Sequence, residues 1–307
     1  MSPDRRAVVN QLAGALARVA LRAMWWPVER LVPDVLHLLG APQLLLPQAQ
    51  QQQPSQLGQL GADRLQAVLV VLAALPEACL SRDVSMHPDR RSAATAALAK
   101  EAAVGLIAEH ALGQAAMPSC QLAALQLVQS WSALPAAAPA LTLSEAVVGG
   151  MHEAVLASPT MSTPAAEALA ALFGACVGTG GGWELLCRLL LFLEGTVSGA
   201  LQVAAACQRQ DPQRAMQLLN AGITLLSAAG AALIGRLCEL VGGTAAGFQD
   251  VPLQAGSGLQ EAQNGQSHWH NGMQQEHQKQ PQQSSAAQLW EGLGFVAGSL
   301  LELLQHP

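Results

Sequence analysis

Apolar residues recur along most of this chain three and four positions apart, the spacing that lines one face of an α-helix. Val8, Leu12, Leu16 and Val19 open the pattern. Pro27 suits the first turn of a second helix with the stripe Val28, Leu31, Val35 and Leu39, and Gly40 stops it. These two form a first antiparallel pair. A second pair is predicted over Arg64–Ala78 and Asp89–Leu112, its first helix ending in Leu75-Pro76-Glu77. The third covers Ser119–Leu134 and Leu143–Ala157. Thr142 and Glu145 have capping-box spacing there, and Leu143, Val147, Met151 and Val155 share a face. The fourth covers Pro164–Cys176 and Trp183–Gln208, opened by Thr163-Pro164 as cap and first-turn proline. Asp211-Pro212 repeats that signal and opens a long helix to about Val241, with Leu219, Leu226, Leu233, Leu237 and Leu240 along it.

Two-helix units of this kind cannot bury their apolar faces alone, so they stack. The later pairs start 46 and 48 residues apart, near positions 118, 164 and 212, close to the roughly 40–47 residues of a HEAT-type pair. The predicted fold is all-α, a right-handed α-solenoid of HEAT-like antiparallel helix pairs over residues 1–242; a compact bundle is the alternative. Residues 41–60, rich in Gln, Pro and Gly, read as a flexible insertion. Residues 243–284 read as a disordered Gly/Gln-rich linker, and a helical pattern returns over 285–307.

Composition agrees with helix. Ala and Leu dominate, Tyr is absent and aromatic residues make up 3%. The net charge of −6 comes with only 12% charged residues and no basic stripe, which argues against direct nucleic-acid binding. Cys79, Cys120, Cys176, Cys187, Cys207 and Cys238 are scattered through apolar runs and read as buried thiols, with no C-x-x-C pair. The N-terminus does not read as a secretory signal. Leu185–Ala206 is the best membrane-span candidate, but Arg188 and Glu194 sit near its middle, so a soluble intracellular protein without membrane insertion is expected.

Candidate chemistry is thin. The run from Gly178 to Gly182 is followed by Trp183 and Glu184, where a phosphate-binding loop needs Lys and Ser or Thr. His268, His270 and His277 lie in a polar Gln-rich stretch that offers no preformed metal geometry. His87, His110 and His152 have no Ser or Cys partner in a recognisable nucleophile elbow. The expectation is a protein that is not an enzyme, with no catalytic, cofactor or metal residues. Trp25, Trp26 and Trp131 read as packing between helices rather than partner anchors. Arg82, Arg90 and Arg91 flank the loop of the second pair. Their expected role is to bond carbonyls at the end of the preceding helix, in preference to partner contact.

The loop wording also carries a resemblance. Leu75-Pro76-Glu77, then Ser81-Arg82, then Arg90-Arg91 resembles the signature helix pair of importin-β superfamily nuclear transport receptors of the transportin-SR/importin type. Val8 to Leu21, Leu127-Val128-Gln129-Ser130-Trp131 and Pro164-Ala165-Ala166-Glu167-Ala168 follow the family's order and rough spacing. The resemblance implies a HEAT-repeat protein in nucleus and cytoplasm that binds Ran-GTP and protein cargo, including Ser/Arg-rich splicing factors, and passes nuclear pore proteins. It makes Pro76, Glu77, Ser81, Arg82, Arg90 and Arg91 a structural loop. Against the family, the chain starts about two helix pairs late and stops before most cargo contacts, which implies a partial receptor. A general α-solenoid scaffold unrelated to transport is the alternative.

Overall fold

The computed structural model describes residues 3–45, 61–114, 116–134, 144–177 and 182–246. Among them there are ten α-helices and no strand. They are α1 (Pro3–Arg22), α2 (Leu31–Leu38), α3 (Ala62–Leu80), α4 (Pro88–Ala99) and α5 (Ala103–Leu112). There follow α6 (Pro118–Ser132), α7 (Glu145–Ala157), α8 (Pro159–Ala175), α9 (Gly182–Cys207) and α10 (Pro212–Ala246). The all-α class is what the composition led one to expect. The chain divides into two compact units, 1–232 and 233–307. Of the second, the described residues are the last turns of α10, where Arg236 and Glu239 pair one turn apart.

Within the first unit, packing is by tiers. α1 packs on α3, α3 on α6, and α6 on α8. A second series runs from α5 to α7 and from α7 to α9, and α5–α6 and α7–α8 contacts join the two. The middle of the first tier is buried almost all round. Leu65, Val68, Leu69, Leu72, Leu75 and Cys79 of α3 are buried, as are Ala123, Leu125, Leu127, Val128 and Trp131 of α6. A helix apolar on every side belongs between neighbours, and α3 and α6 each have them.

Several boundaries differ from the sequence reading, each for a local reason. The expected stripe of α1 faces outward: Val8, Leu12 and Val19 are exposed, and Ala13, Ala17, Ala20 and Leu21 are buried instead. Small alanines let α1 approach α3 closely. Val28–Arg30 forms a 3-10 turn ahead of α2. Gly40, at φ 65°, ends α2, with Ala41 N–H on the Leu36 carbonyl and Gly40 N–H on that of His37. The expected flexible insertion begins with a 3-10 turn, Pro42–Leu45, that buries Ala41 and Leu44; residues 46–60 lie outside the described residues. α3 runs through Pro76 to Leu80, two residues past the expected end at Ala78. The helix predicted over Asp89–Leu112 is two, α4 and α5, parted at Lys100–Ala102.

The N-cap of α7 is Ser144, which accepts from Val147 N–H; Thr142 and Leu143 lie outside the described residues. Ser158-Pro159 opens α8, so Pro164 sits inside the helix rather than in its first turn. Its missing N–H costs only the bond to Thr160, in the exposed first turn. Asp211 caps α10 through Arg214 N–H at 2.9 Å. Residues 178–181 and 247–307, which hold the glycine run, the linker histidines and the C-terminal helical pattern, lie outside the described residues, while α10 runs past 242. Among the described residues two helices are long and apolar enough to cross a membrane, over Leu185–Cys207, which overlaps the candidate read from the sequence, and Pro212–Glu239, which the sequence did not single out.

Candidate functional site: the arginine loop and its carbonyls

The α3–α4 connection is built around two adjacent arginines in the first turn of α4. His87 is the N-cap and Pro88 the first helical residue, so Arg90 and Arg91 are third and fourth. A cation there is unfavourable for the positive end of α4 itself. Both side chains reach the negative ends of other helices. Arg91 donates to the carbonyls of Cys79 (2.6 Å), Ser81 (2.7 Å) and Val84 (2.7 Å), the last turn of α3 and its loop. Arg90 donates to the carbonyls of Leu21 (2.5 Å), Ala23 (2.6 Å), Trp26 (2.9 Å) and Ala20 (3.2 Å), the end of α1 and the turn after it. The last carbonyls of a helix have no partner inside it. A planar guanidinium with five donors can serve several at once, which an ammonium cannot.

The rest of the loop follows. Ser81 caps α3, its N–H on the Glu77 carbonyl (2.9 Å), and its hydroxyl accepts from Asp83 N–H (3.2 Å). Val84 is buried beneath. Arg82 is exposed in the turn between them.

Pro76 and Glu77 point to α6. Proline has no N–H, so the Leu72 carbonyl four residues earlier loses its helical donor. The buried Trp131 indole N–H donates to that carbonyl at 3.0 Å. Next to it, the Ser130 hydroxyl donates to Glu77 Oε1 at 2.9 Å. Five of the six loop residues singled out in the sequence thus belong to one set of contacts joining α1, α3, α4 and α6.

The same device recurs where the sequence reading did not look. Arg64, third in α3, donates to the Leu39 carbonyl at the end of α2 (2.8 Å). Gln121, fourth in α6, donates to Leu112 at the end of α5 (2.9 Å). Ser162, fourth in α8, donates to Val155 of α7 (2.6 Å), and Arg214, third in α10, to Leu156 (3.2 Å). The signal is a long or hydroxylic polar residue two or three positions after a helix's first residue, which is proline in four of these five helices.

Of the tryptophans, Trp131 and Trp26 are buried, and Trp25 is 80% exposed, stacked on Trp26 with centroids 5.8 Å apart. Trp26 is pinned in turn: its indole N–H donates to Asp34 Oδ2 at 2.9 Å. Cys79, Cys120 and Cys176 are buried as expected, Cys187 and Cys207 are half-buried and Cys238 is exposed. Burial pushes the Cys120 and Cys187 thiols above their usual range.

Two clefts are candidates for binding. One, about 570 Å³, lies between α1, α3 and α6 and is lined by Asn10, Glu77, Gln126, Gln129 and Ser130. The other, about 510 Å³, lies between α5 and α7 and holds Glu109, His110 and Glu153. Ser144 donates to Glu109 Oε2 there, and burial holds His110 below the usual histidine range. Among the described residues no three His, Cys, Asp or Glu side chains are grouped to hold a metal. His152 is tied to the buried Thr196 hydroxyl of α9 at 2.7 Å. No protein-family model, curated protein or solved structure matches the chain.

Proposed function

We propose that this chain is a protein-binding scaffold, a right-handed α-solenoid of HEAT-like pairs, and part of a nuclear transport receptor of the importin-β superfamily, transportin-SR/importin type. The observation that supports the reading is the convergence of the motif residues. Pro76 with Trp131, Glu77 with Ser130, and Arg90 and Arg91 with the ends of α1 and α3 tie one tier helix to the next. Residues that resemble a repeat-protein signature act here as couplers between repeats.

In this reading the activity is binding, not turnover, and the partners are Ran-GTP and protein cargo. Ser/Arg-rich cargo suits the charge, since the chain carries −6 and a basic partner is drawn to it. Glu77, Gln126 and Gln129 in the α1–α3–α6 groove can accept from arginines of an extended segment. The protein then works in nucleus and cytoplasm. Immobilised full chain, exposed to Ran loaded with GTP or GDP and to a Ser/Arg-rich peptide, tests the reading. Retention of the GTP form and the peptide is expected. Retention of neither removes the transport reading and leaves a helical scaffold. Alkaline carbonate should release the chain from cell membranes; its staying in the pellet would point to α9 and α10 as membrane helices.

A further inference from the structure

We infer that Ser85, in the loop between α3 and α4, is a phosphoryl-acceptor site for a protein kinase that reads the arginine three residues before it, Arg82. Arg82 is the residue of the candidate loop that the contacts between helices leave unused. It is exposed and takes part in no hydrogen bond or ion pair among the described residues. Its guanidinium is open to an enzyme, whose carboxylate can hold it by two parallel bonds. Ser85 is exposed on the same loop, outside any helix or turn. No other Ser or Thr in the 307 residues has Arg or Lys three positions before it.

The structure separates this serine from its neighbours. Ser92 follows Arg90-Arg91 directly, but both guanidiniums are committed to backbone carbonyls, and Ser92 lies inside α4, where the main chain cannot be drawn out. Ser81 is half-buried, its hydroxyl accepting from Asp83 N–H, and the half-buried Thr95 donates to the Arg91 carbonyl. Residues 82–86 differ, since no backbone–backbone hydrogen bond holds them among the described residues. The Ser81–Asp83 bond, the Arg91 bond to the Val84 carbonyl and the burial of Val84 fix the segment. A short stretch can therefore extend across an enzyme without unfolding a helix. In the transfer, Ser85 Oγ bonds to the γ-phosphorus of ATP as the bond from that phosphorus to the bridging oxygen breaks. ADP leaves, and the hydroxyl proton passes to a base of the kinase. The product suits its place: residues 81–91 hold Arg82, Arg90 and Arg91 against Asp83 and Asp89, so the added dianion meets a net positive loop. This inference holds whether or not the chain binds Ran.

The test uses the folded full chain, ATP labelled on its γ-phosphate, and purified arginine-directed kinases that label a synthetic peptide of residues 79–89. The labelled position is read by peptide mapping and mass spectrometry. Phosphate on Ser85 of the full chain is expected, and Ser85→Ala should abolish the labelling. Arg82→Ala, at an exposed position, should slow it by about tenfold or more, the loss of one charge-assisted pair. Label on the peptide but none on Ser85 of the full chain overturns the inference, because the folded loop then does not present the serine. So does label on Ser92 in place of Ser85, or a rate indifferent to Arg82→Ala. Failure of every arginine-directed kinase to label even the peptide overturns it as well.

Discussion

The contact between Trp131 and Leu72 yields the sharpest test, because its partner is orphaned by a proline. Trp131→Phe keeps an aromatic ring and removes one donor, the indole N–H at 3.0 Å from the Leu72 carbonyl. That carbonyl is buried and has no helical donor, since residue 76 is proline. Leaving a buried acceptor unsatisfied costs about 1–3 kcal/mol. The smaller ring adds a packing loss of its own. Pro76→Ala separates the two effects. It returns an N–H to position 76, which can donate to the Leu72 carbonyl, whose oxygen has room for two donors. In that background Trp131→Phe loses only the packing part and a spare donor. The cycle should therefore show a coupling of about 1–2 kcal/mol between positions 76 and 131. Urea unfolding of the four proteins, followed by helical circular dichroism at unchanged slope, measures it. An equal cost of Trp131→Phe in both backgrounds, within about 0.5 kcal/mol, would refute the orphaned-carbonyl reasoning.

Arg90→Ala removes donors to four carbonyls at the end of α1 and in the turn after it and should cost about 2–4 kcal/mol. Arg90→Lys should recover less than half of that, since one ammonium cannot span them; thermal melting ranks the three. A Cβ at Gly40 would sit 2.0 Å from Arg64 Nη2 at a positive φ, so Gly40→Ala should destabilise by about 1–3 kcal/mol. Gly174→Ala, in an open helical position, should instead stabilise by about 0.4–1 kcal/mol in the same urea assay. With a thiol reagent at mildly alkaline pH, Cys238 should react first. Cys120 should lag far behind, because burial hides it and keeps it protonated; rapid labelling of Cys120 in a peptide map would contradict its placement.

Much of the helix content was legible because the apolar spacing is regular, and Gly40 and Asp211-Pro212 marked ends that the structure places there. Prolines left open which turn they occupy and what replaces their missing N–H. Pro76 lies inside the predicted helix, but nothing near it says that a tryptophan 55 residues away supplies the missing donor. Pro164 reads as a first-turn residue, yet Pro159 already holds that position in α8. The outward stripe of α1 was mistaken for its core side because Val and Leu outrank Ala in hydropathy, while close packing against α3 prefers alanine. Of the candidate loop, the residue types were visible but their targets were not. Nothing local to Arg90 says that its carbonyls lie 64 to 70 residues earlier. The parallel contacts of Arg64, Gln121 and Arg214 share a readable cue, a polar side chain in the first turn after a loop, and it becomes informative only once several are seen together.

The equilibrium affinity of the full chain for Ran, measured side by side with GTP and GDP bound, bears most directly on the transport reading. A preference for the GTP form of at least about tenfold, or about 1.4 kcal/mol, is the expected result. Equal affinity for the two forms, or no binding to either, would contradict it.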